Sequence, residues 1–248
     1  MSSPGIVLRR WPYSENSQVL HVLTPKLGAI SILAKGVNRL KSGQIGIYDT
    51  WALVEIEFGG KDGAEMFNLY AGKLLDRMPG LARDSRRLAA AGVLAELAEL
   101  GSPPGQPAPR LFLWLQRWLQ HLAEGAAVTP VLCAAILESL EELGLRPNLE
   151  LPLSAPSGAI LWFSPAAGGL VVPPAGRRPE QNARRISSED LSLLQKLRCR
   201  PEFALEAGCE NTEGCLTILG EFLHYHLERP PKAWQLLHRQ RGEQVLGP

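Results

Sequence analysis

Lys35, Arg39 and Lys41 follow directly on the apolar, alternating run Ala29-Ile30-Ser31-Ile32-Leu33-Ala34. A strand that ends in such a loop fixes its base and holds ammonium and guanidinium groups where phosphates can reach them. That is chemistry for binding a polyanion, with no covalent bond made or broken. Arg9, Arg10 and Lys26 fall in the same stretch, and Glu15 is the sole carboxylate among residues 1–44. The whole chain of 248 residues has a net charge of only +1, from 26 basic and 25 acidic residues, so the distribution of charge and not its total marks this end. An ordinary solvated face is the competing reading of the same cations. Trp11, Tyr13, Tyr48 and Trp51 are candidates for stacking on bases, each read first as core.

Catalytic and cofactor signatures are missing. The sequence has no phosphate-binding Gly-x-x-x-x-Gly-Lys-Ser/Thr loop, no Gly-x-Gly-x-x-Gly after a strand, no His-Glu-x-x-His and no Gly-x-Ser-x-Gly elbow, so no catalytic residue is assigned and the chain is read as a non-enzyme without cofactor. Cys133, Cys199, Cys209 and Cys215 are few and irregularly spaced, which suits reduced thiols, each expected as a small buried apolar side chain. A zinc site built from Cys209, Cys215, His224 and His226 is disfavoured, because residues two apart on a helix point roughly 200° away from each other. No apolar run reaches the roughly 20 residues that span a bilayer, and the N-terminus lacks the apolar core of a signal peptide, so a cytoplasmic protein is expected.

Two kinds of periodicity position these residues. Ile6–Trp11, Gln18–Leu23, Ala29–Ala34, Trp51–Phe58 and Met66–Leu74 are short runs rich in Val, Ile, Leu and aromatics, punctuated by Gly and Asn, and Gly59–Gly63 reads as a hairpin turn. They predict an OB-type barrel, or another small five-stranded barrel, over residues 1–79. Beyond Pro79 the pattern is helical and predicts an α-helical domain over 80–248, an α+β chain as a whole. Leu88, Ala91, Leu94, Ala95 and Ala98 form one stripe behind an Asp84 or Ser85 cap. The stripe Leu111, Trp114, Leu115, Trp118 and Leu122 is read as helix core in preference to a stacking platform. A third helix is expected over Pro130–Leu143 with Thr129 as its cap and Pro130 in its first position, and others over 188–198, 212–228 and 231–239. Gly101–Pro109 is read as a surface loop.

The order Gly5–Arg10, Tyr13–Ser17, Leu23–Gly28 and then Ala34-Lys35-Gly36, with Leu219–Glu228 and Lys232–Leu237 near the C-terminus, resembles the RecO family of bacterial recombination mediators. The usual Lys-Ser pair of that family is Lys232-Ala233 here. The resemblance implies an N-terminal OB-fold barrel and a helical domain with an inserted hairpin, here residues 145–176, that carries a four-cysteine zinc site in many members. Pro152–Ser157 and Val172–Ala175 stand where its cysteines belong, and every position from 134 to 198 lacks cysteine. A zinc-free hairpin is therefore expected, held by Leu151, Leu153, Ile160, Trp162, Leu170 and Val172, and no bound metal.

What the family resemblance implies for function is binding of single- and double-stranded DNA, annealing of complementary strands, and help in loading RecA onto DNA covered by single-strand-binding protein, in a bacterial, nucleoid-associated setting. Lys35, Arg39, Lys41, Arg9, Arg10 and Lys26 are the expected DNA contacts. Implied partners are RecR and the acidic C-terminal tail of the single-strand-binding protein, for which Arg86, Arg87, Arg110, Arg117, Arg229 and Lys232 are candidates. Phe222, Leu223, Tyr225 and Leu227 are expected core. The alternative is an interaction module whose barrel binds RNA or protein.

Overall fold

Strands rich in Val, Ile and Leu close on themselves here because closure leaves no unpaired edge. The computed structural model of the chain describes residues 1–39, 42–60, 65–151, 159–173, 180, 182–209 and 211–237. By contacts the chain divides into two units, Met1–Gly125 and Ala126–Pro248. In the first, β1 (Ser2–Ser14), β2 (Ser17–Thr24), β3 (Gly28–Ala34), β4 (Leu53–Gly59) and β5 (Met66–Asp76) form a closed barrel in the order β1-β2-β3-β5-β4. All neighbours are antiparallel except β3 and β5, which run parallel. This is the five-stranded OB arrangement. Val7, Leu20, Val22, Ile30, Ile32, Val54, Ile56 and Phe58 fill its interior, and Phe58 meets Phe67 edge to face at 5.3 Å.

The barrel wall is buried on both sides along β1, β2 and β3. Ile6, Leu23 and Ala29 are paired across the three strands and point away from the interior, yet all are at most 2% exposed. Helices of the same unit cover them. A 3-10 turn, Pro79–Arg83, leads into α1 (Ser85–Leu100), and α2 (Pro109–Glu124) follows; α1 packs on β1 and α2 on β2. The alternation expected of β3 is therefore replaced by near-continuous burial, the pattern of a strand with cover on both faces. Asp84 caps α1, accepting from the Arg87 amide at 2.7 Å. Helix α1 is buried around most of its circumference, and of the stripe expected from the sequence only Leu88 is exposed. In α2, Leu111, Trp114, Leu115, Trp118 and Leu122 are all buried.

The segment 101–109 is a surface loop as read, with Pro103–Pro107 exposed, and it is also bonded to the barrel. The Ala29 amide donates to the Ser102 carbonyl at 2.9 Å, Gly105 to Leu27 at 2.9 Å and Ala108 to Pro25 at 3.0 Å, so the α1–α2 connection straps the β2–β3 turn. Gly28 sits at the crossing with φ +65°, and a Cβ there would press on the Pro103 carbonyl and lie 2.9 Å from that of Gln106.

In the second unit, α3 (Val128–Glu142), α4 (Ser188–Cys199), a 3-10 turn (Pro201–Leu205) and α5 (Glu213–His226) pack around Leu132, Ile136, Leu140, Leu194, Leu219 and Phe222. Thr129 does not cap α3: the helix begins at Val128, two residues before the expected Pro130, and the Thr129 hydroxyl donates instead to Glu213 at 3.0 Å. The hairpin expected from the sequence is present as β6 (Trp162–Ser164) and β7 (Gly169–Val171), and β8 (Arg184–Arg185) joins as a third strand. Its apolar support differs from expectation. Leu149, Phe163 and Leu170 are buried, with Phe163 against Phe222 at 5.7 Å, whereas Leu151 and Ile160 are each 53% exposed; Leu153 lies outside the described residues. Among the described residues no group of three or more His, Cys, Asp or Glu could hold a metal ion. Cys133, Cys209 and Cys215 are buried, and burial foremost raises the Cys133 and Cys215 thiols, the latter to about 12. Cys199 is exposed, contrary to the expectation for it. Residues 234–237 begin a last helical turn, where Trp234 packs on Gly220 of α5 so closely that a Cβ would collide with the indole.

Candidate nucleic-acid interface

The loop after β3 is seated by backbone bonds. The Gly36 amide donates to the Ser17 hydroxyl at 3.2 Å and Asn38 to the Asn16 carbonyl at 3.2 Å, which clamps the loop to the β1–β2 turn. Arg39 closes a turn onto Gly36 at 3.1 Å, and Ser42 donates to the carbonyls of Arg39 and Val37 at 2.8 Å each. Val37 is buried, so the loop has an anchor as well as ladders. Lys35 and Arg39 are exposed, and neither pairs with a carboxylate among the described residues. Lys41 lies outside the described residues.

The same loop returns through the barrel mouth. Tyr48 is 1% exposed, donates to Gln44 at 2.5 Å and packs on Gly72; burial pushes its phenol up to about 12. Trp51 takes φ +67°, held by its amide donating to Val7 at 2.6 Å while the Val7 amide donates to Ala52 at 3.1 Å. Of the four rings singled out from sequence, Tyr48 is core as read, whereas Trp11 and Tyr13 are 44% and 63% exposed on the β1 arm that leads to the turn under the loop.

The remaining barrel cations divide. Arg9 lies on the outer face in register with His21 and Ser31, and its guanidinium pairs with Glu99 at the end of α1, which also faces the His21 ring at 3.3 Å. His21 foremost, and then Arg9, hold the Glu99 carboxyl at about 2 against its part burial. Arg10 pairs with Asp49 at 3.2 Å, and Arg77 reaches the same carboxylate at 2.9 Å. Lys26 is exposed in the β2–β3 turn beside the strap. At about 3.3 Å per residue, the seven residues of β3 place it roughly 23 Å from Lys35, at the other end of the barrel wall. Lys35 and Arg39 thus share one end with the exposed Tyr13, and Lys26 does not join them.

Two further side chains were not singled out from sequence: Arg77, which pairs with Asp49, and Tyr70, which is 69% exposed on β5. Arg77 directly follows the last strand, and a cation flanking a barrel strand end is the signal that would have found it.

The helical cations occupy varied settings. Arg87 donates to the Leu122 carbonyl and, at 3.2 Å, to Asp84, tying the start of α1 to the end of α2. Arg117 lies over the Trp118 ring at 4.9 Å, and Arg110 is exposed in the first turn of α2. Arg86 is half-buried near the start of α1. Arg229 and Lys232 are exposed after α5 in the second unit. No described helix is long and apolar enough to cross a membrane.

A closed OB barrel with a cationic loop at its mouth, followed by helices and a small sheet, places the chain in the class of OB-fold proteins, whose barrels bind oligonucleotides and oligosaccharides. Comparison with known families narrows this. Residues 1–78 match the model described as "Recombination protein O N terminal" and residues 82–235 the model "Recombination protein O C terminal". The chain belongs to the RecO family. Relatives named DNA repair protein RecO include that of Anaeromyxobacter sp. (strain Fw109-5), 27% identical over 232 residues, covering 91% of this chain and 90% of the relative. That of Moorella thermoacetica is 27% identical over 264 residues, covering 98% and 92%. A relative from Desulfitobacterium hafniense (strain DSM 10664 / DCB-2) is 30% identical over 212 residues, covering 78% and 71%.

Proposed function

We propose that this chain acts in DNA repair and recombination as a non-enzymatic mediator that binds single- and double-stranded DNA, anneals complementary strands and assists RecA loading onto DNA covered by single-strand-binding protein. The observation that carries the reading is the seated loop, which presents Lys35 and Arg39 without carboxylate partners among the described residues beside the exposed Tyr13. Cations that screen two phosphate backbones at once reduce their repulsion, and base pairing then drives annealing; no covalent step is needed. Lys41 adds to the same loop by sequence and Arg10 and Arg77 edge the mouth, whereas Arg9, held by Glu99, and Lys26, at the far turn, are supporting contacts outside the loop.

The acidic tail of the single-strand-binding protein is assigned to the helices, where Arg86, Arg87, Arg110, Arg117, Arg229 and Lys232 are the candidate cations, and RecR is the further partner. A mediator that holds tail and DNA together needs separate surfaces for them. In this reading the protein works in the cytoplasm, on the nucleoid. The test mixes fluorescently labelled complementary oligonucleotides with the protein. Annealing much faster than spontaneous pairing is expected, and no acceleration together with tight binding of an RNA or a protein would favour the interaction-module alternative.

A further inference from the structure

The second unit carries a groove of about 620 Å³ between the small sheet and α5. Trp162 and Arg185 are cross-strand partners on β6 and β8, and Tyr225 of α5, expected as core, is instead 51% exposed where it lines the groove. Arg184 is held by Glu221 in a two-pronged pair at 2.6 and 3.0 Å, which fixes its guanidinium. Arg185 is exposed and pairs with no carboxylate among the described residues. His224 donates from Nδ1 to the Gly220 carbonyl at 2.8 Å, and no hydrogen bond of its Nε2 is found among the described residues. Two aromatic rings, an unpaired guanidinium and an imidazole nitrogen therefore line one open groove with a single carboxylate, already matched.

We propose that this groove is a second binding site for single-stranded nucleic acid, with bases stacked on Tyr225 and Trp162 and a phosphate on Arg185. The site rests on the reading of the chain as a DNA-binding mediator and gives it a second strand-holding surface outside the barrel. Flat rings beside a cation suit a stacked base and its phosphate, because every base has a π-face and the backbone repeats its charge. Besides the rings, the guanidinium groups and the imidazole, the groove is lined by Pro165, Asn182, Ala183 and Glu221, whose carboxylate is matched by Arg184.

The test uses the full chain and a 12-residue oligonucleotide bearing 5-iododeoxyuridine, cross-linked by light and mapped by mass spectrometry. Cross-links to Trp162 or Tyr225 are expected, reduced about tenfold in Tyr225→Ala, retained in Tyr225→Phe, and lost in Arg185→Glu with intact circular dichroism. The same cross-links should persist in the barrel variant Lys35→Ala/Arg39→Ala, which separates failure of the groove from failure of the barrel. Cross-links confined to the barrel overturn the groove proposal and leave the mediator reading standing. Saturable, Arg185-dependent binding of a labelled acidic peptide that the oligonucleotide does not displace also overturns it. Absence of oligonucleotide binding anywhere on the chain overturns both.

Discussion

Asp49 joins two cations far apart in sequence: its Oδ1 lies 3.2 Å from Nη2 of Arg10 and its Oδ2 accepts from Nη1 of Arg77 at 2.9 Å. The carboxylate belongs to the returning half of the β3–β4 loop, so the pair of guanidinium groups clasps the loop whose first half carries Lys35 and Arg39. Arg10 is thereby a positioning residue as well as a candidate contact.

Replacing Lys35, Arg39 and Lys41 together by Ala is expected to lower the slope of log affinity against log salt on single strands by about 2, at roughly 0.7 per phosphate contact. Fluorescence anisotropy at several salt concentrations measures it. An unchanged slope and affinity would place the DNA site elsewhere.

Arg10→Gln should weaken binding through the loosened loop. Because Arg10 already spends much of its charge on Asp49, its slope change should be smaller than that of Arg39→Ala. Equal slope changes in the same titration would make Arg10 a plain phosphate contact.

Gly28→Ala should destabilise the chain by about 2 kcal/mol, since φ +65° is costly for an L side chain and the new Cβ meets the strap carbonyls. Ser102→Ala is expected to be neutral or stabilising by about 1 kcal/mol, because the buried Ser102 hydroxyl has no hydrogen-bond partner among the described residues. Thermal unfolding of both variants checks the strap; a tolerated Gly28→Ala counts against it.

Glu99 titrates at about 2 in the folded chain, below its ordinary 4.5, so its contribution to stability is present above pH 4.5 and fades as pH falls towards 2. The melting temperature of Glu99→Gln should therefore lie below that of the parent at pH 6 and converge with it near pH 2. A gap that is constant with pH would mean that the carboxylate is not held by His21 and Arg9.

Metal analysis of protein purified without a histidine tag should find no stoichiometric zinc, and a chelator should leave the unfolding curve in place, because no cysteine occupies 134–198. Unfolding on chelation would contradict the zinc-free hairpin.

The order of strands and helices was readable because β and helical periodicity, Gly and Pro turns and the Asp84 cap are local properties of adjacent residues. The cationic loop was readable for the same reason: Lys35 and Arg39 follow a strand end. Tertiary structure decided which cations remain available, since ion pairing joins distant residues, Arg9 to Glu99 across 90 positions and Arg10 and Arg77 through Asp49. It also decided that 101–109 is a strap and that β3 is covered on both faces, because burial depends on what packs there and not on the segment itself. Tyr225 shows the same limit: an aromatic in an apolar helix run reads as core, and only the placement of the small sheet beside α5 turns it into the wall of a groove.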